Sequence, residues 1–242
     1  MFSFLLGCAG IVAAGIAAVA GFGIGSVLTP ILATESGTKL AVAAIAIPHF
    51  VGTAQRYWKL RRHVDRHVLL GFGVASAVGG LAGALAHVWI SSRILSAVFG
   101  ALLVLAAIFE FTGWVERIHW GRTGAWVAGT LSGALGGLVG NQGGIRSAAM
   151  LGFDVPKESF VATATAIALF VDAARLPVYL VTQWNDLLDA WPKILAATIG
   201  VVIGTALGTR LLGRIPTTIF RKVVAVVLLA LGVFMLFVGG KE

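Results

Sequence analysis

Charge is the scarcest property of this sequence. Only 12% of its residues are Asp, Glu, Lys or Arg, against about a quarter in ordinary soluble domains. That shortage excludes a water-soluble enzyme or binding module. Cysteine is almost absent as well. Cys8 stands alone, so no disulfide framework and no Cys-x-x-Cys or Cys/His metal site can be drawn. No apolar run alternates with strand period, which argues against a β-barrel. No Lys-Ser/Thr pair follows a glycine run at phosphate-loop spacing, and neither Gly-x-Ser-x-Gly nor His-Glu-x-x-His occurs. No enzyme activity, metal or cofactor is therefore expected. The first apolar run lacks a basic leader and an obvious small-residue cleavage site, and reads as a retained membrane segment.

Hydrophobicity fills the space that charge leaves. Apolar residues make up 58% of the 242 positions, and mean hydropathy is +0.96. Several runs reach the roughly 20 residues a bilayer-spanning helix needs. Eight apolar segments are expected, at about 2–33, 39–58, 68–89, 92–113, 123–152, 157–182, 191–212 and 216–238. Trp58, Trp89, Trp114, Trp120, Trp126, Trp184 and Trp191 cluster at segment ends, as an interfacial aromatic belt would. The net charge of +8 sits mainly in short loops, above all in the basic run 56–67. Charge so placed reports orientation and contact with anionic lipid rather than nucleic-acid binding. His87 and Glu110 fall near segment ends and are expected at the interface.

The chain repeats itself. A shift of 119 to 121 positions pairs Gly21 with Gly140, Gly25 with Gly144, Leu32 with Leu151, Arg56 with Arg175, Gly83 with Gly204, Ile94 with Ile215 and Phe99 with Phe220. Residues 1–113 and 123–242 are therefore expected to be two membrane repeats joined by the loop 114–122. Plain alternation of eight spans would put Arg210 and Arg214 outside and the acidic 183–190 loop inside, against the positive-inside bias. Re-entrant first segments resolve this, and make the repeats inverted. The fold expected is all-α and polytopic, with two inverted repeats. Each has a glycine-broken or re-entrant first segment followed by three transmembrane helices.

The sequence is organised around Gly136-Gly137-Leu138-Val139-Gly140-Asn141-Gln142-Gly143-Gly144-Ile145-Arg146-Ser147. Glycines permit close backbone approach and positive φ, and hydrocarbon penalises exposed polar groups. A plainer copy, Gly21-Phe22-Gly23-Ile24-Gly25-Ser26, breaks the first segment. A helix restarting after each break presents free N–H groups and the positive end of its dipole, which favour an anion. The candidate substrate ligands are Gly21, Gly23, Gly25, Ser26, Asn141, Gln142, Gly143, Gly144, Arg146 and Arg175. Arg146 either clamps an oxyanion or pairs with Asp172. Asp172 and Arg175 are spaced to pair with each other. His49, Thr53 and Arg56 share a helical face, Thr53 and Arg56 matching Asp172 and Arg175 in the repeat. His49 and Asp172 are the candidates for proton coupling. Gly79, Gly83, Gly200, Gly204 and Gly208 are expected to serve helix packing.

The motif Gly140-Asn141-Gln142-Gly143-Gly144, followed by Met150-Leu151-Gly152-Phe153 and Pro156-Lys157, resembles the second-half motif of the TauE/SafE family, the sulfite exporters. The likeness runs through both halves. It implies a prokaryotic cytoplasmic-membrane transporter of small sulfur-containing anions such as sulfite, thiosulfate or organosulfonates. The function expected is a secondary transporter, an exporter, working by alternating access with substrate at the facing breaks. A passive anion channel and a non-transporting scaffold are the alternatives. Membrane lipid and the anion are the expected partners, with no nucleic acid, and the protein as a monomer or a homodimer. The basic 56–67 loop is expected on the cytoplasmic side.

Overall fold

The computed structural model of the chain describes residues 1–20, 23–112, 122–141, 143–150, 153, 155–212 and 217–238. Helix α1 covers Phe2–Ala20, and α2 covers Ile24–Leu60. A 3-10 turn at Arg61–His63 leads into α3 (Arg66–Val68), which continues through a π-helical stretch, Leu69–Gly73, into α4 (Val74–Trp89). Then come α5 (Ser92–Thr112), α6 (Arg122–Val139), α7 (Gly143–Met150), α8 (Lys157–Thr182), α9 (Trp184–Asp189), α10 (Trp191–Leu212) and α11 (Thr217–Val238). No strand occurs among the described residues. In hydrocarbon, a helix satisfies its own backbone, which is why so apolar a chain takes this form throughout. This is an all-α, multi-pass membrane protein.

Among the described residues, seven stretches are long and apolar enough to cross a membrane, one fewer than the segments expected. The fifth segment is split by its own polar break into α6 and the eight-residue α7. The first is split too. Gly37 inside α2 has φ 72° and ψ 158°, values no helix accommodates. A straight helix would hold residues 24 and 52 about 42 Å apart, yet Ile24 Cδ1 lies 3.1 Å from where Gly52 would carry a Cβ. The chain must therefore fold back at Gly37. At the far end of that fold, Lys193 Nζ lies 2.6 Å from Glu35 Oε2 and 5.5 Å from the centre of the Phe2 ring. Both ends of the first segment thus reach one face of the bundle, the geometry expected of a segment that enters and leaves on the same side.

Two expectations about loops need correction. Arg56 and Lys59 lie on α2, which runs on to Leu60, and the basic run leaves the helix only at Arg61–His63. Asp65 then starts the next helix by accepting from the His67 and Val68 amides, an N-terminal cap. The acidic stretch 183–190 also carries its own short helix, α9. The connecting loop 114–122 lies outside the described residues except for Arg122, the first residue of α6.

Packing is reciprocal: α1 lies along α10, α6 lies along α4, and α5 pairs with α11. Glycines make these contacts close. A Cβ on Gly200 would overlap Gly7, one on Gly204 would overlap Ile11, and one on Gly83 would overlap Ala134. The expected packing role of these glycines therefore holds, because bare backbone lets helices approach where no hydrophobic force drives them together. Trp58, Trp89, Trp184 and Trp191 are exposed at helix ends, where an amphipathic ring meets the headgroup layer.

Replacing Gly83 with Leu forces α4 away from α6. Overpacking of this kind costs about 1–3 kcal/mol, so a clear fall in thermal-unfolding midpoint in detergent is expected. Val78→Ala, on the exposed face of the same helix, should leave the midpoint almost unmoved.

Candidate functional site

A helix that stops inside a membrane releases carbonyls that have no water to bind. Helix α6 stops at Val139. Gly140 turns the chain with φ 74°, the left-handed glycine cap, and its amide returns to Gly136 O at 2.9 Å. Side chains from neighbouring helices reach that oxygen and the two carbonyls after it. Arg175 Nη1 donates to Gly136 O at 2.8 Å, and Tyr179 Oη donates to Gly137 O. His87 Nδ1 lies 2.7 Å from Leu138 O. A carbonyl only accepts, so that nitrogen carries the proton and Nε2 is left to face the Gln183 amide nitrogen at 3.4 Å. The first half uses the same device: Arg56 Nη1 donates to Ala17 O at 2.5 Å near the end of α1. Ala17 and Gly136 are 119 positions apart, as are Arg56 and Arg175.

The two breaks meet. A Cβ on Gly25 would sit 2.8 Å from Gly140 O, and Ser26 Oγ donates to Asn141 Oδ1 at 3.3 Å. Of the predicted ligands, Gly25, Ser26 and Asn141 are therefore in contact across the halves. Gly23, with φ 139°, precedes the first turn of α2, while Gly143 and Gly144 open α7. Gly21 and Gln142 lie outside the described residues.

Beside the breaks lies a buried charge cluster. Asp172 is fully buried, and both its carboxylate oxygens are engaged. Oδ2 lies 2.6 Å from His49 Nδ1; Oδ1 lies 3.0 Å from Arg175 Nε and 2.8 Å from Arg175 Nη2. The expected Asp172–Arg175 pairing is present. Arg146 is only 4% exposed, yet its Nε and Nη1 have no hydrogen-bond partner. It stands within electrostatic reach of Arg56, Asp172 and Arg175. Three guanidiniums thus share one carboxylate, and with His49 neutral the cluster carries two excess positive charges. Buried charge of this kind persists only when it is compensated.

Three residues of this arrangement were not foreseen. His87, expected at the interface, is 0% exposed, because the glycine seam carries α4 against α6 and brings its ring to Leu138. Tyr179 and Gln183 extend the Asp172–Arg175 face of α8 by one turn each. The stripe 172, 175, 179, 183 follows helical spacing and was available in the sequence as a signal. Thr53 Oγ1 is buried without a partner, at the position matching Asp172.

Broken helices thus meet around a buried cationic cluster within a multi-pass helical bundle, an arrangement common among membrane transporters. The family model for the sulfite exporter TauE/SafE matches residues 6–235, nearly the whole chain, and the protein belongs to that family of membrane transporters. No curated protein and no solved structure matches the chain.

The side-chain caps on α6 make a stability prediction. Arg175→Met leaves Asp172 with His49 alone and removes the side-chain donor from Gly136 O, and should lower unfolding free energy by about 3–5 kcal/mol. Tyr179→Phe removes one hydrogen bond and should cost only about 1 kcal/mol. Denaturant titration of the purified variants in detergent reads both, and equal effects would contradict the assigned roles.

Proposed function

We propose that this chain is a secondary transporter that exports a small sulfur-containing oxyanion or organosulfonate, with the substrate held where the two helix breaks meet. The observation that carries this reading is Arg146: a guanidinium buried to 4% exposure, with two polar nitrogens unpartnered, in a cluster already rich in positive charge. A sulfite or sulfonate supplies what that group needs, two oxygens in the plane of the fork and a compensating charge. The N-termini of α2 and α7 add backbone N–H groups without adding further side-chain charge. Asn141 contributes an amide at the same place. Arg175 takes a different part: it holds Asp172 and Gly136 O, so it fixes the geometry of the break rather than touching the anion.

Alternating access follows from the same elements. Reciprocal packing of α1 on α10 and α6 on α4 supports two inverted repeats, 1–113 and 123–242, that rock about the shared site. The basic end at Arg61, Arg62, His63 and Arg66 faces the cytoplasm of a prokaryotic inner membrane under the positive-inside bias. His49 and Asp172 form the coupling pair. A proton taken up there weakens the hold of Asp172 on Arg175, and so loosens the cap on α6. Proton movement and rearrangement of the break are thereby linked.

Proteoliposome flux tests this. Wild-type protein should move sulfite, thiosulfate or a sulfonate saturably, and an imposed proton gradient should change the rate. Arg146→Gln should reduce flux about tenfold or more, the loss of one charge-assisted contact, while leaving the protein monodisperse. Asp172→Asn should abolish the response to the gradient. Absence of flux for every sulfur anion, with and without the gradient, would sink the reading.

A further inference from the structure

The arginine that caps the first break also faces a second basic cavity. Beneath the C-terminal turn of α1 lies a cavity of about 230 Å³, walled by Arg56, Lys59, Thr165 and Thr205 together with the apolar Val161 and Phe160. At about 30 Å³ per water molecule, it has room for a small oxyanion and several waters. Among the described residues, no Asp or Glu lines it.

Two of its polar atoms are unspent. Arg56 uses Nη1 on Ala17 O, but its Nε is buried without a partner. Thr205 is 2% exposed and its Oγ1 is likewise unpartnered. That hydroxyl lies 3.4 Å from where Gly52 would carry a Cβ, so it is turned toward α2, one turn from Arg56. The matching arginine of the second half is different: Arg175 Nε donates to Asp172 Oδ1 at 3.0 Å. In the first half Thr53 stands where Asp172 stands, and its hydroxyl also lacks a partner. One half therefore carries its own carboxylate for the arginine that caps the broken helix; the other carries Thr53 there, and the cavity beside Arg56 is closed by residues of the second half.

We infer that this cavity binds a second oxyanion, with Arg56 Nε, the Lys59 ammonium and the Thr205 hydroxyl as donors. The inference rests on the anion-transport reading and gives it a sequence of steps. The anion is first held at Arg56, then passed to Arg146. The fields of the two arginines overlap, so occupation of the outer site lowers the positive potential at the inner one and eases release, as between adjacent sites in a pore. The apolar wall suits a phospholipid headgroup as well as a free ion. Both offer the same chemistry, a singly or doubly charged oxyanion with several acceptor oxygens.

Equilibrium binding of radiolabelled sulfite to delipidated, detergent-purified full-length protein, paired with native mass spectrometry after exposure to phosphatidylglycerol, tests the site and separates its sources. Arg56→Gln risks unfolding the end of α1, so Thr205→Val and Lys59→Gln, which leave the Ala17 contact intact, carry the test. If the ion is free, wild type binds two sulfites per chain. In that case each variant weakens one of them about tenfold, and Arg146→Gln weakens the other. If the occupant is a lipid phosphate, wild type retains one phosphatidylglycerol per chain, the variants lose it, and the lipid displaces one sulfite. Either pattern establishes the site. Unchanged sulfite affinity and unchanged lipid retention in both variants would overturn it, even with Arg146→Gln abolishing binding and the transport reading intact. Loss of lipid in the variants, from a protein that transports no sulfur anion, would keep the oxyanion site and remove the transport reading.

Discussion

Carbonyl groups released at the end of a helix inside a membrane must find donors in the protein, and most of this structure follows from how that need is met. Helix α6 ends among Gly136, Gly137 and Leu138, and Arg175, Tyr179 and His87 reach in from two other helices to take those oxygens. Those donors are positioned by the seams that pack α4 against α6 and against α8. Once the end is secured, the chain can turn at Gly140 and restart at Gly143, and the first amides of any helix lack intrahelical partners. A stable gap in a helix is what allows backbone to serve as a binding surface at this depth.

The requirement recurs in the other half, but the solutions diverge. Arg56 and Arg175 each cap the helix that ends before them, 119 positions apart. Arg175 is neutralised within its own helix by Asp172, whereas Arg56 is not. Arg146 has only Val27 as its counterpart at the same shift. The buried cluster is thus electrostatically lopsided, with its carboxylate and the imidazole that contacts that carboxylate at the Asp172–His49 pair.

Much of this was readable from the residues, for identifiable reasons. The bounds of α8 and α10 emerge from apolar runs stopped by Pro156, Gln183 and Trp191, because helix is the only economical state for such runs in lipid. The break at Gly140 was legible because Asn141, Gln142 and Arg146 are out of place in hydrocarbon. The contact between the breaks followed from the repeat, and Gly25 against Gly140 bears it out. What was not legible depends on which helices meet. His87 reads as a residue near a span end until α4 is laid along α6. Tyr179 reads as core packing until a bare carbonyl is placed opposite it. Arg56 reads as part of a charged loop, because a run of cations gives no sign that α2 continues beneath it.

The most direct measurement of the central claim is anomalous scattering from crystals of the protein grown with selenite, the heavier analogue of sulfite. The account predicts a selenium peak where the breaks meet, within hydrogen-bonding distance of the Arg146 guanidinium and the first amides of α7. A map with no selenium there, and with Arg146 paired to a protein carboxylate instead, would contradict it.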